Sequence, residues 1–454
     1  MNTNNISVRY SGFNVKSLLQ YFVLTDTEDL QAAVADYQKY LNLNPNDKEV
    51  YFHLAKSYQQ QNNLQAAISA YKQGLSIINP YYAQAVAAQI TKTTVDVPVT
   101  PPLPQGEIQV GDYKFPVIPP VSVEKATRPF WSVVIPAYNR TDYLLECLVS
   151  VLAQWSDVDQ MEILVIDDAS MPPLYELVNG IGAGLVKYYR NPQNLRQQGT
   201  WNLAVTLSRG LWIHLLHDDD YVLPGFYTRL QESLEDAPDS VGAAFTGYEN
   251  VSEKGEVVFC QKLYGENRGI AENFIQKIGV ANPLNPPAVV IRRATYERLG
   301  GYHPELTSTL DWEFYKRVTT FFDWWYEPEI LVNYRKHSQS MRTELSLSGA
   351  RAASIRRSIE ISESYLPVDI CKEVTAKARR HNFIYCLADA EVPLRAGHIA
   401  GAFRTIQEIL KIDRSPESLA YLFSWLGQDR MAPLRNEIVL YLASLPLNDC
   451  VPTT

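Results

Sequence analysis

An apolar run, Gly210-Leu-Trp-Ile-His-Leu-Leu216, ends in three consecutive carboxylates, Asp218, Asp219 and Asp220, followed by Tyr-Val-Leu-Pro224. A β-type run that stops in charge constrains the chain strongly. It reads as a buried strand whose polar residues sit at its carboxyl end, where open α/β sheets bind ligands. Adjacent carboxylates repel one another, and a divalent cation carrying a diphosphate is the usual way to hold them together. An acidic turn that caps the next helix is the alternative.

The neighbouring sequence bears on that choice. Between about residues 130 and 341, β-rich runs at 131–136, 162–167, 186–189, 211–216 and 242–247 alternate with helical segments, the pattern of an α/β sheet. The first run ends in Pro136-Ala-Tyr-Asn-Arg140. There a rigid turn precedes an aromatic ring suited to a planar base, Tyr138, and a cation suited to phosphate or to a helix start, Arg140. The second ends in Asp167-Asp168-Ala-Ser170. A carboxylate there accepts from a ribose hydroxyl or a base N–H, or caps a helix. Asn194-Leu-Arg196 and Gly199-Thr-Trp-Asn202 then lead into a helix before the triplet. Three strand ends bearing carboxylates or aromatics on one sheet edge exceed what capping needs.

The flanks differ in character. Leu30-Gln-Ala-Ala33 recurs as Leu64-Gln-Ala-Ala67 and Tyr37 as Tyr71, a period of 34 residues, and each copy runs into Asn-Pro. Small alanines let two antiparallel helices pack closely, and the pattern resembles the tetratricopeptide repeat. So short an array needs neighbours to cover its faces. The reading is a helical domain over 20–95, a Pro-rich extended connector over 96–129, the α/β domain over 130–345 and a helical region over 346–450. A length of 454 residues accommodates such a division, and a net charge of −9 argues against an electrostatic nucleic-acid binder. Five scattered cysteines without a CxxC pair point to a reducing cytoplasm rather than a disulfide framework. No signal peptide or membrane-length apolar run is visible, which leaves peripheral attachment at an inner membrane face as the membrane association compatible with the chain.

Taken together, Ser132-Val-Val-Ile-Pro-Ala-Tyr-Asn-Arg140, Val165-Ile-Asp-Asp-Ala-Ser170 and His217-Asp-Asp-Asp-Tyr-Val-Leu-Pro224 resemble the inverting family 2 glycosyltransferases in order and spacing, over about 210 residues. The resemblance implies a GT-A fold, a Rossmann-like mixed sheet flanked by all-α regions. It implies a nucleotide-sugar donor, a carbohydrate, lipid-linked or protein acceptor, and Mn²⁺ or Mg²⁺ as cofactor. By the same match, Pro136 and Tyr138 border the nucleotide, Arg140 meets phosphate, Asp168 binds the base edge, and Arg196 is a basic nucleotide-site residue. Asp219 is the principal metal ligand, with Asp218 beside the ribose or sugar and Asp220 and His337 completing the metal shell. Where the family often carries Asp-x-Asp-Asp, this chain has His217 in first place, as buried structural residue or as ligand.

Downstream, Arg298-Leu-Gly-Gly-Tyr-His-Pro-Glu305 and Leu310-Asp-Trp-Glu-Phe314 resemble the family's Gly-Gly-Phe turn and acidic-aromatic helix start. That implies Asp311 as the base for the acceptor hydroxyl, with helix capping as its alternative role. Arg335 and Lys336 suit a diphosphate. Gln339-Ser-Met-Arg342 is followed by Thr343, not the Trp of processive members, which favours single addition. The helical repeats are expected to bind a partner or the acceptor. The competing readings are a non-catalytic scaffold and a sugar-nucleotide nucleotidyltransferase, although Pro136-Ala-Tyr-Asn139 is not the Gly-rich phosphate loop the latter wants.

Overall fold

The computed structural model describes residues 27–89, 99–122, 127–157, 159–235 and 237–444. The expected repeat positions 20–26 and 90–95, connector positions 96–98 and 123–126, the amino-terminal stretch read for a signal peptide, and the tail from 445 with Cys450 lie outside them.

Within the Pro-rich stretch, β1 (Glu107–Val110) and β2 (Tyr113–Pro116) pair as an antiparallel hairpin, where the sequence suggested a plain extended connector. Its strands are too short to announce themselves by alternation. The main sheet contains β3 (Trp131–Ala137), β4 (Met161–Asp167), β5 (Val186–Arg190), β6 (Trp212–Leu215), β7 (Tyr221–Val222), β8 (Val241–Val251), β9 (Val257–Cys260), β10 (Gly269–Ile270), β11 (Val289–Arg292) and β12 (Asp323–Arg335). Their order is β10-β12-β8-β11-β6-β3-β4-β5, with β7 on β12 and β9 on β8. Strands β5, β4, β3 and β6 run parallel, β11 is antiparallel to both β6 and β8, and β12 is parallel to β8. The carboxyl ends of β3, β4, β6, β8 and β12 therefore share one edge.

Both faces of the sheet are covered, which is why its strands are apolar at successive positions. Ile163 and Val165 of β4 enter one hydrophobic cluster, and Leu164 and Ile166 enter the other. The first cluster also holds Phe52, Ile68, Tyr71 and Tyr82 from the amino-terminal helices. The second extends into Ile406, Ile409 and Trp425 of the carboxyl-terminal helices. The helical flanks thus close opposite faces of one sheet.

The amino-terminal segment forms helices Thr27–Leu43, Lys48–Gln60, Leu64–Ile78 and Pro80–Gln89. Asn63 caps the third by accepting from the Ala66 N–H at 3.2 Å. Asn79-Pro80 does more than end a helix. Pro80 opens the next one, where its missing N–H is harmless, and Asn79 Oδ1 accepts from the Tyr81 and Tyr82 N–H groups at 3.0 and 3.2 Å. The same side chain donates to the Leu152 and Trp155 carbonyls at 2.8 Å each, pinning the repeat to the central domain. Among the described residues no helix is long and apolar enough to cross a membrane.

This shared core has a measurable consequence. Phe52 is buried against Gly74 and Tyr71, the two rings 5.8 Å apart. Phe52→Ala is expected to cost about 3–5 kcal/mol through lost burial and a residual cavity. All eight tryptophans lie at or beyond position 131, outside the repeat. Tryptophan fluorescence during urea unfolding should still register the full shift. An unmoved fluorescence midpoint would show that the repeat unfolds independently.

Candidate active site

The edge formed by β3, β4, β6 and β12 gathers the charged groups. The turn after β6 places His217, Asp218, Asp219 and Asp220 together, with Asp220 buried and the other three half-buried. One donor atom from each of His217, Asp219 and Asp220 lies within 4.8 Å of the others. Asp218 turns towards β3, where its Oδ2 accepts from the Tyr138 N–H at 3.3 Å and its Oδ1 lies 3.5 Å from Arg140 Nε. Tyr138 itself is half exposed, as a ring offered to a ligand would be. Pro136, half-buried, is the penultimate residue of β3, which runs to Ala137 just before it.

Charge crowding shows in the proton affinities. Burial and the neighbouring Asp219 push Asp218 up to about 7 and Asp220 up to about 6. Burial would raise Asp219 too, but its hydrogen bond from His337, together with His217 and Arg140, brings it below the usual carboxylate value. Burial disfavours a charged His217, yet the three carboxylates outweigh that and raise its pKa.

The residues present fit a divalent cation. Asp220 Oδ2 is buried with His217 Nδ1 3.4 Å away, and His217 Nε2 is a buried atom without a hydrogen-bond partner among the described residues, a placement that is rare without a ligand. His337 stands against the same cluster, its Nε2 2.8 Å from Asp219 Oδ2 and 3.2 Å from Arg140 Nη1.

Arg335 is not a free diphosphate binder. Its guanidinium is buried, with Nη2 on Glu146 Oε2 at 2.9 Å and Nε on the Asp219 carbonyl at 3.1 Å, and its backbone N–H donates to Asp220 Oδ1 at 2.8 Å. Glu146 in turn lies 3.7 Å from Lys56 on a repeat helix. Lys336 remains exposed and, with Lys254, Glu253, Ser338 and others, lines an open depression of about 580 Å³ next to His337. The side chain of Arg342 lies outside the described residues.

After β4 the two aspartates divide their work. Asp167 is fully buried and accepts from the Ser170 and Leu174 N–H groups at 2.8 and 3.2 Å and from the Tyr188 hydroxyl, so it builds the turn. Asp168 Oδ1 accepts from Asn191 Nδ2 at 2.7 Å and the Leu195 N–H at 2.8 Å. Arg196 opens the helix Arg196–Leu207 at φ +61° with its side chain exposed.

Asp311 sits in the first turn of helix Leu310–Phe321, whose N-cap position is Thr309, and its carboxylate accepts backbone hydrogen bonds from Trp312 and Asp311 itself. Its Oδ2 accepts from Asn282 Nδ2 at 2.8 Å. Burial raises its pKa, opposed by backbone hydrogen bonding, by the charge of His217 and by Asn282. The helix is anchored by a fully buried pair: both terminal nitrogens and Nε of Arg317 engage Glu313 or the Leu299, Gly300 and Gly301 carbonyls. Gly301 is required, because a side chain there would collide with Asn202, whose amide exchanges two hydrogen bonds with the Tyr302 backbone. Arg317→Met would leave Glu313 buried and uncompensated. About 3–5 kcal/mol of stability should be lost, read as a lowered urea midpoint. A midpoint within error of wild type would mean that water reaches this pair.

Sequence reasoning missed Asn282, Asn191 and Glu146. Each acts on a site residue 23 to 189 positions away, and no local pattern marks such partners.

Comparison with known proteins agrees with this geometry. Residues 132–293 match the family described as Glycosyl transferase family 2, and residues 48–81 match a tetratricopeptide repeat. The chain is 28% identical over 250 residues to the uncharacterized protein MT1568 of Mycobacterium tuberculosis, covering 53% of this chain and 76% of that one. It is 22% identical over 221 residues to the uncharacterized glycosyltransferase RP339 of Rickettsia prowazekii, covering 48% and 68%. Among solved structures, S. aureus TarS 1-349 in complex with UDP-GlcNAc superimposes with a TM-score of 0.48 at 15% identity, over 63% of this chain and 91% of that one. That overlap is loose.

Proposed function

From a chain that carries a family 2 glycosyltransferase domain and a tetratricopeptide repeat, we propose a metal-dependent inverting transfer of one sugar from a nucleoside-diphosphate donor to an acceptor hydroxyl. The observation that carries this reading is the three-donor cluster His217, Asp219 and Asp220 at the shared strand edge, together with the half-buried carboxyl of Asp311, which feels the charge of His217.

In this mechanism the base lies over Tyr138, with Pro136 at its border and Asp168 and Arg196 at its edge. Arg140 and Asp218 face the phosphates and the ribose or sugar. Bound Mn²⁺ or Mg²⁺ would supply the positive charge that offsets the departing diphosphate. Asp311, oriented through Asn282, takes the proton of the acceptor hydroxyl. The acceptor oxygen then bonds to the anomeric carbon on the face opposite the breaking bond to phosphate, which inverts the centre. The acceptor is a carbohydrate, a lipid-linked glycan or a protein. The exposed side of the repeat helices is the surface offered to it or to a partner.

Calorimetric titration of UDP, GDP and dTDP, each with and without Mn²⁺, tests the reading. Metal-dependent binding of one of them is the expected result and names the donor class. If none binds, the domain is a scaffold.

A further inference from the structure

We propose that the carboxyl-terminal helices belong to the catalytic apparatus: Ser354 and Asn382 are positioning residues that fix Asp311 from two sides for removal of the acceptor proton. The inference rests on Asp311 being the base. The family 2 match ends at residue 293, so Asp311, Ser354 and Asn382 all lie beyond it.

The first support acts on the start of the base-bearing helix. Thr309 occupies the N-cap position of Leu310–Phe321, yet its hydroxyl makes no capping bond to that helix. It is turned onto helix Ala350–Glu363, where Thr309 Oγ1 donates to the Ser354 carbonyl at 3.0 Å and lies 2.9 Å from Ser354 Oγ. The Ser354 hydroxyl also accepts from the Thr307 and Ser308 N–H groups at 3.3 and 3.2 Å. One buried serine thus holds the three residues that lead into the turn carrying Asp311. The same face of its helix continues the grip at four-residue spacing. There the buried Lys316 ammonium donates to the Ser358 carbonyl at 2.7 Å and to Ser362 Oγ at 2.8 Å. Helix ends are where helices fray, and here the carboxyl-terminal region holds the end in place.

The second support acts on the partner of the base. Asn282 donates to Asp311 Oδ2 at 2.8 Å, and two residues before it the Val280 carbonyl accepts from Asn382 Nδ2 at 3.0 Å. Asn382 is buried on helix Val368–Asp389, and the same amide donates to the Ala378 carbonyl at 2.9 Å, which sets its orientation. Close packing removes slack, because a side chain at Gly279 would lie 2.5 Å from Val374 Cγ1 of that helix. Trp312 Nε1 donates to the Ile278 carbonyl at 2.6 Å and ties the two supports together.

A general base takes a proton only within hydrogen-bond reach, and displacement by an ångström costs up to two orders of magnitude in rate. Ser354 and Asn382 act through the Thr309 segment and the Asn282 loop, so their loss should lower kcat and spare donor binding.

The test uses the full chain with Ser354→Ala and Asn382→Leu, each alone and combined with Asp311→Asn. Turnover is release of nucleoside diphosphate from UDP-glucose, GDP-mannose or dTDP-glucose, with water as acceptor. Each single variant should lower kcat about 10–100-fold at unchanged donor KM. Ser354→Thr keeps the hydroxyl and should keep most of the rate. In the Asp311→Asn background neither substitution should slow the residual rate further, since a positioning effect vanishes with the group positioned. Hydrogen exchange reads the support without any donor: the Thr307 and Ser308 amides should exchange about 5-fold faster or more in Ser354→Ala, with the central sheet unchanged. Unchanged exchange at these amides, unchanged kcat in the folded single variants, or losses that add fully to that of Asp311→Asn would overturn the positioning role alone. Wild-type turnover by Asp311→Asn itself would remove the base reading and the positioning role with it. The two substitutions lie on separate helices, so a variant that misfolds leaves the other to decide.

Discussion

Asp219→Ala is expected to reduce transfer by on the order of 10³-fold or more and to abolish the metal-dependent part of nucleotide binding. Asp219 is the member of the acidic cluster kept ionised by its surroundings: His337, His217 and Arg140 together outweigh the burial that would otherwise protonate it. Its neighbours are poised differently, Asp218 at about 7 and Asp220 at about 6. Removing Asp219 takes away the anion on which the other groups converge and leaves His337 Nε2 without its carboxylate partner. The fold should tolerate the change, because Asp219 is half-buried and supports the protein mainly through its backbone carbonyl to Arg335. Paired measurements of turnover and of UDP, GDP or dTDP affinity check this. Retention of metal-dependent binding would mean that Asp219 is not the principal ligand.

Asp311→Asn should lower kcat by about 10²–10⁴-fold while leaving nucleotide and metal binding intact, the range expected for loss of a general base. Asn282 donates to Asp311 Oδ2 at 2.8 Å and so fixes the orientation of the carboxylate. Burial raises the Asp311 pKa, and the sign of two effects follows. The base works ionised, so wild-type activity should fall as pH drops through that raised value. For stability, the folded protein binds the proton more tightly than the unfolded chain. The favourable contribution is therefore complete below the unfolded pKa and is lost as pH rises through the folded pKa. At neutral pH the ionised carboxylate is a cost to the fold, and Asp311→Asn should melt at a higher temperature than wild type. An inactive variant that is also less stable would point to a structural role, and a variant with unchanged kcat would end the base assignment.

Much of the central sheet was legible in the sequence. The runs expected at 131–136, 162–167, 186–189, 211–216 and 242–247 are β3, β4, β5, β6 and the first half of β8. They were visible because strands covered on both faces must be apolar throughout, so each stands out against its polar turns. The repeat helices were visible for a related reason, their close-packed alanines recurring at a fixed period. Strands β11 and β12 escaped notice, although β11 lies beside β6 at the centre of the sheet. β11 is short and follows directly on the Pro286–Ala288 turn, and β12 carries charges along its length.

The sequence by itself determined the α/β architecture, the family 2 resemblance and the carboxylates at the strand ends. These depend on local periodicity and on short ordered motifs, and both survive in one dimension. Only the tertiary structure brought both histidines to the acidic turn: β12 runs beside β8 and β7, which sets His337 against Asp219 and Arg140, while His217 stacks on Trp201 beside Asp220. The tertiary structure likewise turned Arg335 from an apparent phosphate ligand into a buried strut between Glu146 and the acidic loop. Which atoms of a charged side chain remain free depends on partners more than a hundred residues away, and sequence spacing carries no record of them.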